Sequence, residues 1–360
     1  MNFNSLSYHL AFFVGAFIIS YITNRLMLRF ARTLGIRNKN DVTIRWSEQS
    51  KPSLGGISLY FTFIIAVFVY ATFFSKGKNL FEDIEFLGLL GSGTLAFAIG
   101  MSDDAYNTRP LLKLFGQIMC GLILAFTGNG LDIFHVELID GFITIVWVVA
   151  VMNSLNMLDN MDGITGTTSL FILSTCLFIF TFFSNFTVAL WPLLAVAGIG
   201  ALVGFLAFNI YPAKMFMGDT GSQFLALMVS FFGIRAIWNL PATYEIPSWT
   251  SIFLVTVAFS PAIADTLTVI INRTKKGISV MQGGKDHTTH HLVYKGFSDF
   301  KVWVIFTILG FFSFAFSAVL SYLIVYHNIL FALLGLPYFL IVFIPLYRNT
   351  LKYHPPETKE

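Results

Sequence analysis

Apolar residues follow one another along this chain in long unbroken runs, and polar residues gather in short clusters between them. A membrane-spanning helix needs roughly 20 apolar residues. Eleven runs qualify as spans, at about 9–29, 56–75, 86–101, 112–127, 142–158, 168–184, 188–208, 222–238, 250–271, 302–325 and 328–346. His327 and Asn328 alone separate the last two, and without that break the count is ten. Only helices and closed barrels satisfy the backbone in lipid, and unbroken runs exclude the alternating pattern of a barrel strand. The pattern predicts an all-α integral membrane protein, a polytopic bundle forming a single domain over residues 1–360.

Charge gives the bundle a direction. Residues 1–8 carry no Lys or Arg, and positive charge begins at the far end of the first run with Arg25 and Arg29. That order predicts a retained first helix with its N-terminus outside, not a removable signal. Alternating the loops from there places nineteen of the 22 Lys and Arg residues inside. They lie from Arg25 through Arg32, Arg37, Lys39 and Arg45 to Lys51, at Arg109, Lys113 and Lys214, from Arg273 to Lys301, and in the tail from Arg348 to Lys359. Lys76, Lys78 and Arg235 fall on the other side. A bias of that size orients a membrane protein with its basic loops, and here its C-terminus, in the cytoplasm. The inside loops lie near 30–55, 102–113, 156–167, 210–221 and 272–301. Acids carry no such topological signal. Yet Asp103, Asp104, Asp159, Asp162, Asp219 and Asp286 gather at the same inside ends, with Asp265 within a span.

Composition agrees. The 360 residues are 56% hydrophobic, 11% charged and 17% aromatic, with 41 Phe, against about 25% charged in an average soluble domain. A net charge of +3 is too modest to suggest a nucleic acid partner. Cys120 and Cys176 both lie in apolar runs, without metal or disulfide spacing, and read as packing residues.

Four clusters at the inside ends carry candidate chemistry. In IGMSDDAYNTRPLLKLFGQ (Ile99–Gln117), Asp103 and Asp104 are adjacent carboxylates that a divalent cation or a basic partner would relieve, with Asn107 on the shared helical face. In NSLNMLDNMDGITG, Asn153, Asn156, Asp159 and Asp162 recur every third residue and suit a hydrated cavity better than lipid. In FMGDTGSQF, Asp219 sits between glycines at the start of a span. There Thr220 or Ser222 is a candidate cap and the first amides are candidate anion ligands. In GGKDHTTHHLVYKG, His287, His290 and His291 share a face if the segment is helical, flanked by Lys285 and Lys295, a density that suits a diphosphate. A zinc site is the other chemistry open there, with Asp286 as a further ligand. Two smaller features join them. Lys51, Pro52, Gly55 and Gly56 form either a phosphate cradle or a plain turn into the next helix. Asp265, four residues after Pro261 and two turns from Arg273, is an intramembrane acid and a functional candidate by default. Acidic ligands, cationic loops and glycine turns on one face describe a phosphate site at a membrane surface.

The set SDDAYNTRPLLKLFGQ, NSLNMLDNMDGITG, FMGDTGS and DHTTHHL resembles the polyprenyl-phosphate N-acetylhexosamine-1-phosphate transferase family, in the family's order from about Lys51 to Leu292. The resemblance implies a bundle of eleven helices in a bacterial cytoplasmic membrane. It implies magnesium, or manganese in its place, on the diphosphate of a UDP-sugar, and attack by a polyprenyl phosphate with release of UMP. It assigns metal binding to Asp219 and Asn156, the paired acids to Asp103 and Asp104, the lysine before Pro-x-x-Gly-Gly to Lys51, and the terminal histidines to His290 and His291. Asp159 joins the catalytic candidates. Asn153, Asp162, Asp265, Lys285 and His287 join Lys51 as substrate-binding candidates. Asn107 departs from the Lys of some members, and His287 stands one position away from the usual first histidine. The muramoyl-pentapeptide branch has a longer histidine run followed by Phe-Glu. Its absence here favours an amino-sugar donor, N-acetylglucosamine first, and an undecaprenyl phosphate acceptor in cell-wall or lipopolysaccharide biogenesis. A homodimer is compatible with the sequence. A secondary transporter is the rival of a different class. It is disfavoured because most acids sit at one end of the spans and the chain shows no internal repeat.

Overall fold

In this computed structural model the described residues are 3–33, 51–75, 79–184, 188–280 and 283–355. Arg37, Lys39, Arg45, Lys76, Lys78 and Lys359, all used above to orient the chain, lie outside them, as does the side chain of Arg32.

Fourteen α-helices fall among the described residues, with no strand. In order they are α1 (Phe3–Thr33), α2 (Gly55–Phe73), α3 (Ile84–Tyr106), α4 (Pro110–Phe126), α5 (Glu137–Leu158), α6 (Ile164–Phe183), α7 (Leu190–Asn209), α8 (Gly218–Phe232), α9 (Leu240–Tyr244), α10 (Trp249–Ala258), α11 (Ser260–Lys275), α12 (Thr288–Tyr294), α13 (Asp299–Tyr326) and α14 (Gly335–Lys352). A π-helical turn, Gly233–Trp238, joins α8 to α9, so the span runs from Gly218 to Tyr244. Among the described residues nine spans are long and apolar enough to cross a bilayer, or ten if α10 and α11 together count as one. The run expected at 112–127 becomes the 17-residue α4, about 26 Å long at 1.5 Å per residue and at the short end for a crossing.

The span expected to be continuous over 250–271 is broken instead. Between α10 and α11 the axis bends by 87°. Pro261 occupies the first turn of α11; its ring would clash with the carbonyl four residues back if α10 simply continued. The bend points α11, with Asp265, Arg273 and Lys275, toward the end of the bundle where the acidic motifs gather.

The centre of the bundle is α7 and the α8 span, 78% and 83% buried against 22% for α1. Close approach depends on absent side chains. A Cβ on Gly200 or Gly204 of α7 would meet the Phe13 or Phe17 carbonyl of α1 at 2.4 or 2.7 Å. These two glycines, four apart, follow the packing rule of membrane helices. A Cβ on Gly56 of α2 would lie 2.2 Å from Gly221 N, and one on Gly100 of α3 would lie 2.2 Å from Asp219 O. Both pin their helices against the start of α8.

Polar contacts sort to the two ends. At one, Arg235 in the π-turn stacks on Trp191 at 4.4 Å, pairs with Glu85 at 2.8 Å and donates to Asn129 at 2.9 Å, while Asp140 accepts from the backbone of Ile133, Phe134 and Val136. These contacts close loops. At the other end lie all the candidate site residues.

Candidate active site

Helix α3 stops at Asn107, whose left-handed φ of 49° is one Asn tolerates, and so Asn107 ends the helix instead of sharing a face with the acids. The chain reverses into Pro110 at the start of α4. Asp103 holds that turn: its Oδ1 accepts from Thr108 N at 2.9 Å and Thr108 Oγ1 at 2.6 Å. Its Oδ2 accepts from Lys113 Nζ at 2.8 Å, and the same ammonium donates to Asp219 Oδ1 at 2.6 Å. One lysine thus joins two carboxylates from sequence positions more than a hundred residues apart. Asp103 and Lys113 are mostly shielded while the Asp219 side chain keeps 34% exposure, which leaves it the accessible member of the trio.

Asp104 does something different. Its Oδ1 accepts from Asp219 N at 3.0 Å, and its Oδ2 from Thr220 N at 2.8 Å and Thr220 Oγ1 at 2.6 Å. A carboxylate of α3 therefore caps the amino end of α8, where unpaired amides and the helix dipole favour an anion. Neither Thr220 nor Ser222 caps its own helix, and these first amides already hold an anion, the protein's own. Gly218 takes φ +74°, and a Cβ there would press on Asp104 Oδ2 at 2.7 Å. Ser222 donates instead to Asn156 Oδ1 at 2.7 Å, tying α8 to the end of α5.

The third-residue spacing at the end of α5 spreads its polar groups over different neighbours. Asn153 lies deepest. It donates to Gln117 Oε1 at 2.7 Å, and Gln117 donates to Gln223 Oε1 at 3.0 Å. Gln117 and Gln223 each stand one helical turn beyond Lys113 and Asp219, so this chain of amides is a floor beneath the ionic trio. Asp159 caps α5. Burial, then the charges of Asp219, Asp104 and Asp162, push its carboxyl up to about 7. Asp162 accepts from Lys51 Nζ at 3.3 Å and Ala213 N at 2.8 Å. Lys51 also lies over the Phe216 ring at 5.2 Å. The Gly55 and Gly56 amides donate to the Phe216 and Met217 carbonyls at 3.1 and 3.0 Å, which makes this segment a turn packed on α8 and not a phosphate cradle.

The histidine segment is seated by α11. Buried Arg273 grips Asp286 with Nε and Nη2, at 2.8 and 2.6 Å, and donates Nη1 to Val280 O at 3.0 Å. Arg273 thus closes the loop ahead of α12. Burial alone would raise the Asp286 carboxyl, but Arg273 holds it below the usual range. His287 precedes α12 as its cap, so the three histidines do not share a face. His287 and His290 lie together, ring centroids 5.4 Å apart, whereas the His291 ring turns toward the chain end, with Nδ1 on Tyr353 O. Burial, then neighbouring His287, brings His290 down to about 3, and burial also lowers His291. Both are neutral at pH 7 and offer hydrogen bonds, not the positive charge expected of them. Thr289 Oγ1 donates to Asn160 Oδ1 at 2.7 Å, which docks α12 on the loop carrying Asp159. Lys285 is exposed beside this segment, its carbonyl accepting from Tyr294 at 3.0 Å.

The donor set fits magnesium, a hard cation that takes oxygen ligands and prefers one or two carboxylates plus water and substrate phosphates. Asp219 and Asn156 are the oxygen donors of that set, held by Asp104 and Lys113 on Asp219 and by Ser222 on Asn156. Among the described residues Lys51 and Lys113 pair with Asp162, Asp103 and Asp219, and burial, then the neighbouring carboxylates, raise Asp159. Among the described residues no three His, Cys, Asp or Glu side chains converge as a metal cage, and zinc gains no support at the histidines. Sequence reasoning passed over Lys113, Gln117, Gln223 and Asn160 as site residues. Lys113 was counted only as loop charge. Its spacing from Asp103 and Gln117 was the available signal.

The chain matches the family model described as glycosyl transferase family 4 over residues 86–237. It is 24% identical over 310 residues to the probable undecaprenyl-phosphate N-acetylglucosaminyl 1-phosphate transferase of Bacillus subtilis (strain 168), covering 83% of this chain and 82% of that one. It is 26% identical over 272 residues to the decaprenyl-phosphate N-acetylglucosaminephosphotransferase of Mycolicibacterium smegmatis, covering 69% and 67%. It is 28% identical over 322 residues to the phospho-N-acetylmuramoyl-pentapeptide-transferase of Oceanobacillus iheyensis, covering 82% and 93%.

Proposed function

The chain belongs to glycosyl transferase family 4, and on that premise we propose that it transfers N-acetylglucosamine 1-phosphate from a UDP-sugar to undecaprenyl phosphate. The products are undecaprenyl-diphosphate-sugar and UMP, in the initiating step of a cell-envelope polysaccharide. The relatives' names support a polyprenyl phosphate acceptor and sugar-phosphate transfer. The observation that carries the reading is the Asp103–Lys113–Asp219 bridge, flanked by Asn156, Asp159 and the Lys51–Asp162 pair, at one end of a lipid-embedded bundle.

A phosphate monoester has its second pKa near 6 and is mostly dianionic at pH 7, so the acceptor needs little activation. An oxygen of the lipid phosphate attacks the sugar-side phosphorus, a new diphosphate bond forms, the old one breaks, and UMP leaves with its electron pair. The difficulty is charge, because a dianion must approach a diphosphate. Lys51 and Lys113 exchange Asp162 and Asp103/Asp219 for phosphate oxygens. Neutral His290 donates a hydrogen bond without adding charge. Asp104 keeps Asp219 in register, and Asp159, with its carboxyl near 7, accepts the proton of any monoanionic acceptor. Magnesium held by Asp219 and Asn156 would neutralise the diphosphate and the developing charge. The excess of basic residues on one set of loops supports a site that faces the cytoplasm from the cytoplasmic membrane.

Purified protein, undecaprenyl phosphate, magnesium and a panel of UDP-amino sugars and UDP-muramoyl-pentapeptide form the test. UMP release with a lipid diphosphate sugar, lost on adding EDTA, names the donor. Folded protein that releases no UMP from any donor rejects the proposal.

A further inference from the structure

Asp265 lies within α11 with 0% exposure, so no ligand reaches its carboxylate. Its three hydrogen bonds all go to consecutive residues more than twenty positions downstream. Oδ2 accepts from His287 Nδ1 at 2.8 Å, and Oδ1 accepts from Thr288 N at 2.8 Å and Thr288 Oγ1 at 2.6 Å. The helix these residues begin, α12, has only seven residues. A helix that short is unstable alone, so its seat is imposed from outside by Asp265 on His287 and Thr288, and by Asn160 on Thr289. The 87° bend before α11 makes this reach possible.

A carboxylate on Nδ1 also decides where the imidazole proton sits. An ionised carboxylate only accepts, so Nδ1 carries the hydrogen and Nε2 is left as the lone-pair nitrogen. Nδ1 of His287 is engaged by Asp265, and its backbone N–H donates to His290 Nδ1 at 3.4 Å. We propose that Asp265 is a positioning residue that fixes the tautomer of His287 and seats α12, so that His287 meets the nucleotide sugar through Nε2 while Asp265 touches no substrate. This inference rests on the transfer reading above, and it replaces the expectation that Asp265 binds substrate directly.

The test pairs spectroscopy with kinetics on the full-length protein. In ¹⁵N-histidine-labelled wild type, the His287 signals show a protonated Nδ1. Asp265→Asn puts an amide donor in the pocket and moves the proton to Nε2. Turnover falls by up to about 10⁴-fold, the scale of a misplaced tautomer in a hydrolase triad, with KM little changed. In Asp265→Asn/His287→Ala, turnover is no lower than in His287→Ala alone. His287→Asn keeps a donor for Asp265 but has no distal nitrogen; it folds as wild type and is as slow as His287→Ala. An unchanged ¹⁵N signature in Asp265→Asn, independent and multiplying effects in the double variant, or a fully active His287→Asn each overturns the inference. Should Asp265→Asn not fold, the His287→Asn comparison decides. Wild type without turnover rejects the transfer reading, and the ¹⁵N comparison still decides the role of Asp265.

Discussion

Asp104, on α3, caps α8 through Thr220: one carboxylate oxygen accepts both the Thr220 amide at 2.8 Å and its hydroxyl at 2.6 Å. Two helices distant in sequence are thus locked at the residue next to Asp219. Asp104→Ala removes the cap and destabilises the protein by about 1 kcal/mol or more. Asp104→Asn retains an acceptor oxygen and recovers part of that loss. Thermal melts of both variants in detergent check the order, which fails if Asn is no better than Ala.

Asp219 is the more accessible of the two carboxylates that Lys113 joins. Asp219→Ala lowers turnover by roughly 10²–10³-fold or more, the scale of one lost electrostatic contact at a reacting phosphate. Membrane insertion and the gel-filtration profile stay as in wild type. Retained activity with normal magnesium dependence removes Asp219 from the metal assignment.

Lys113 is the cation between Asp103 and Asp219. Lys113→Met leaves two carboxylates facing each other, a repulsion that a divalent cation relieves. The variant melts lower than wild type in EDTA and gains more from saturating magnesium, because a ligand that binds only the folded state stabilises it. Equal gains in the two proteins contradict this role.

Asp159 gives a pH signature. Its carboxyl rises from 3.8 unfolded to about 7 folded. Between those values the folded state holds more protons than the unfolded one, so this group's contribution to stability is present at low pH and lost as pH rises through about 7. Asp159→Asn removes that slope. Melting temperatures from pH 4 to 7.5, without added metal, fall less steeply in the variant than in wild type if the assignment is right.

Gly100 tests the fit of α3 on α8. A Cβ there would lie 2.2 Å from Asp219 O and 2.6 Å from Thr220 Cα, both backbone atoms that cannot turn aside. Gly100→Ala destabilises by about 1–3 kcal/mol and lowers activity with it, because Asp219 moves away from Lys113. A melt and an assay on the same sample decide whether the two losses travel together.

Much of this was legible in the chain. Long apolar runs can only be helices in lipid, and the acidic clusters stand where those runs end. What sequence could not show was each polar group's partner. Adjacent Asp103 and Asp104 read as equivalent, yet one binds Lys113 while the other caps α8. Three histidines read as one cationic face, yet the turn before α12 sends His291 away, and burial keeps His290 and His291 neutral. Arg273 and Asp286, thirteen residues apart, form an ion pair only because the loop between them closes.

The sequence by itself determined the helical membrane class, the approximate position of most spans and which polar clusters stand at their ends. Hydrophobic length and local spacing are properties of neighbouring residues, and lipid leaves few folds that satisfy them. The tertiary structure alone decided that α10 and α11 bend at Pro261, that Asp265 serves His287, and that Lys113 joins Asp103 to Asp219. Those relationships depend on which helices pack face to face, and that is set by glycine-scale clearances between segments more than a hundred residues apart, such as Gly56 with Gly221 and Gly100 with Asp219.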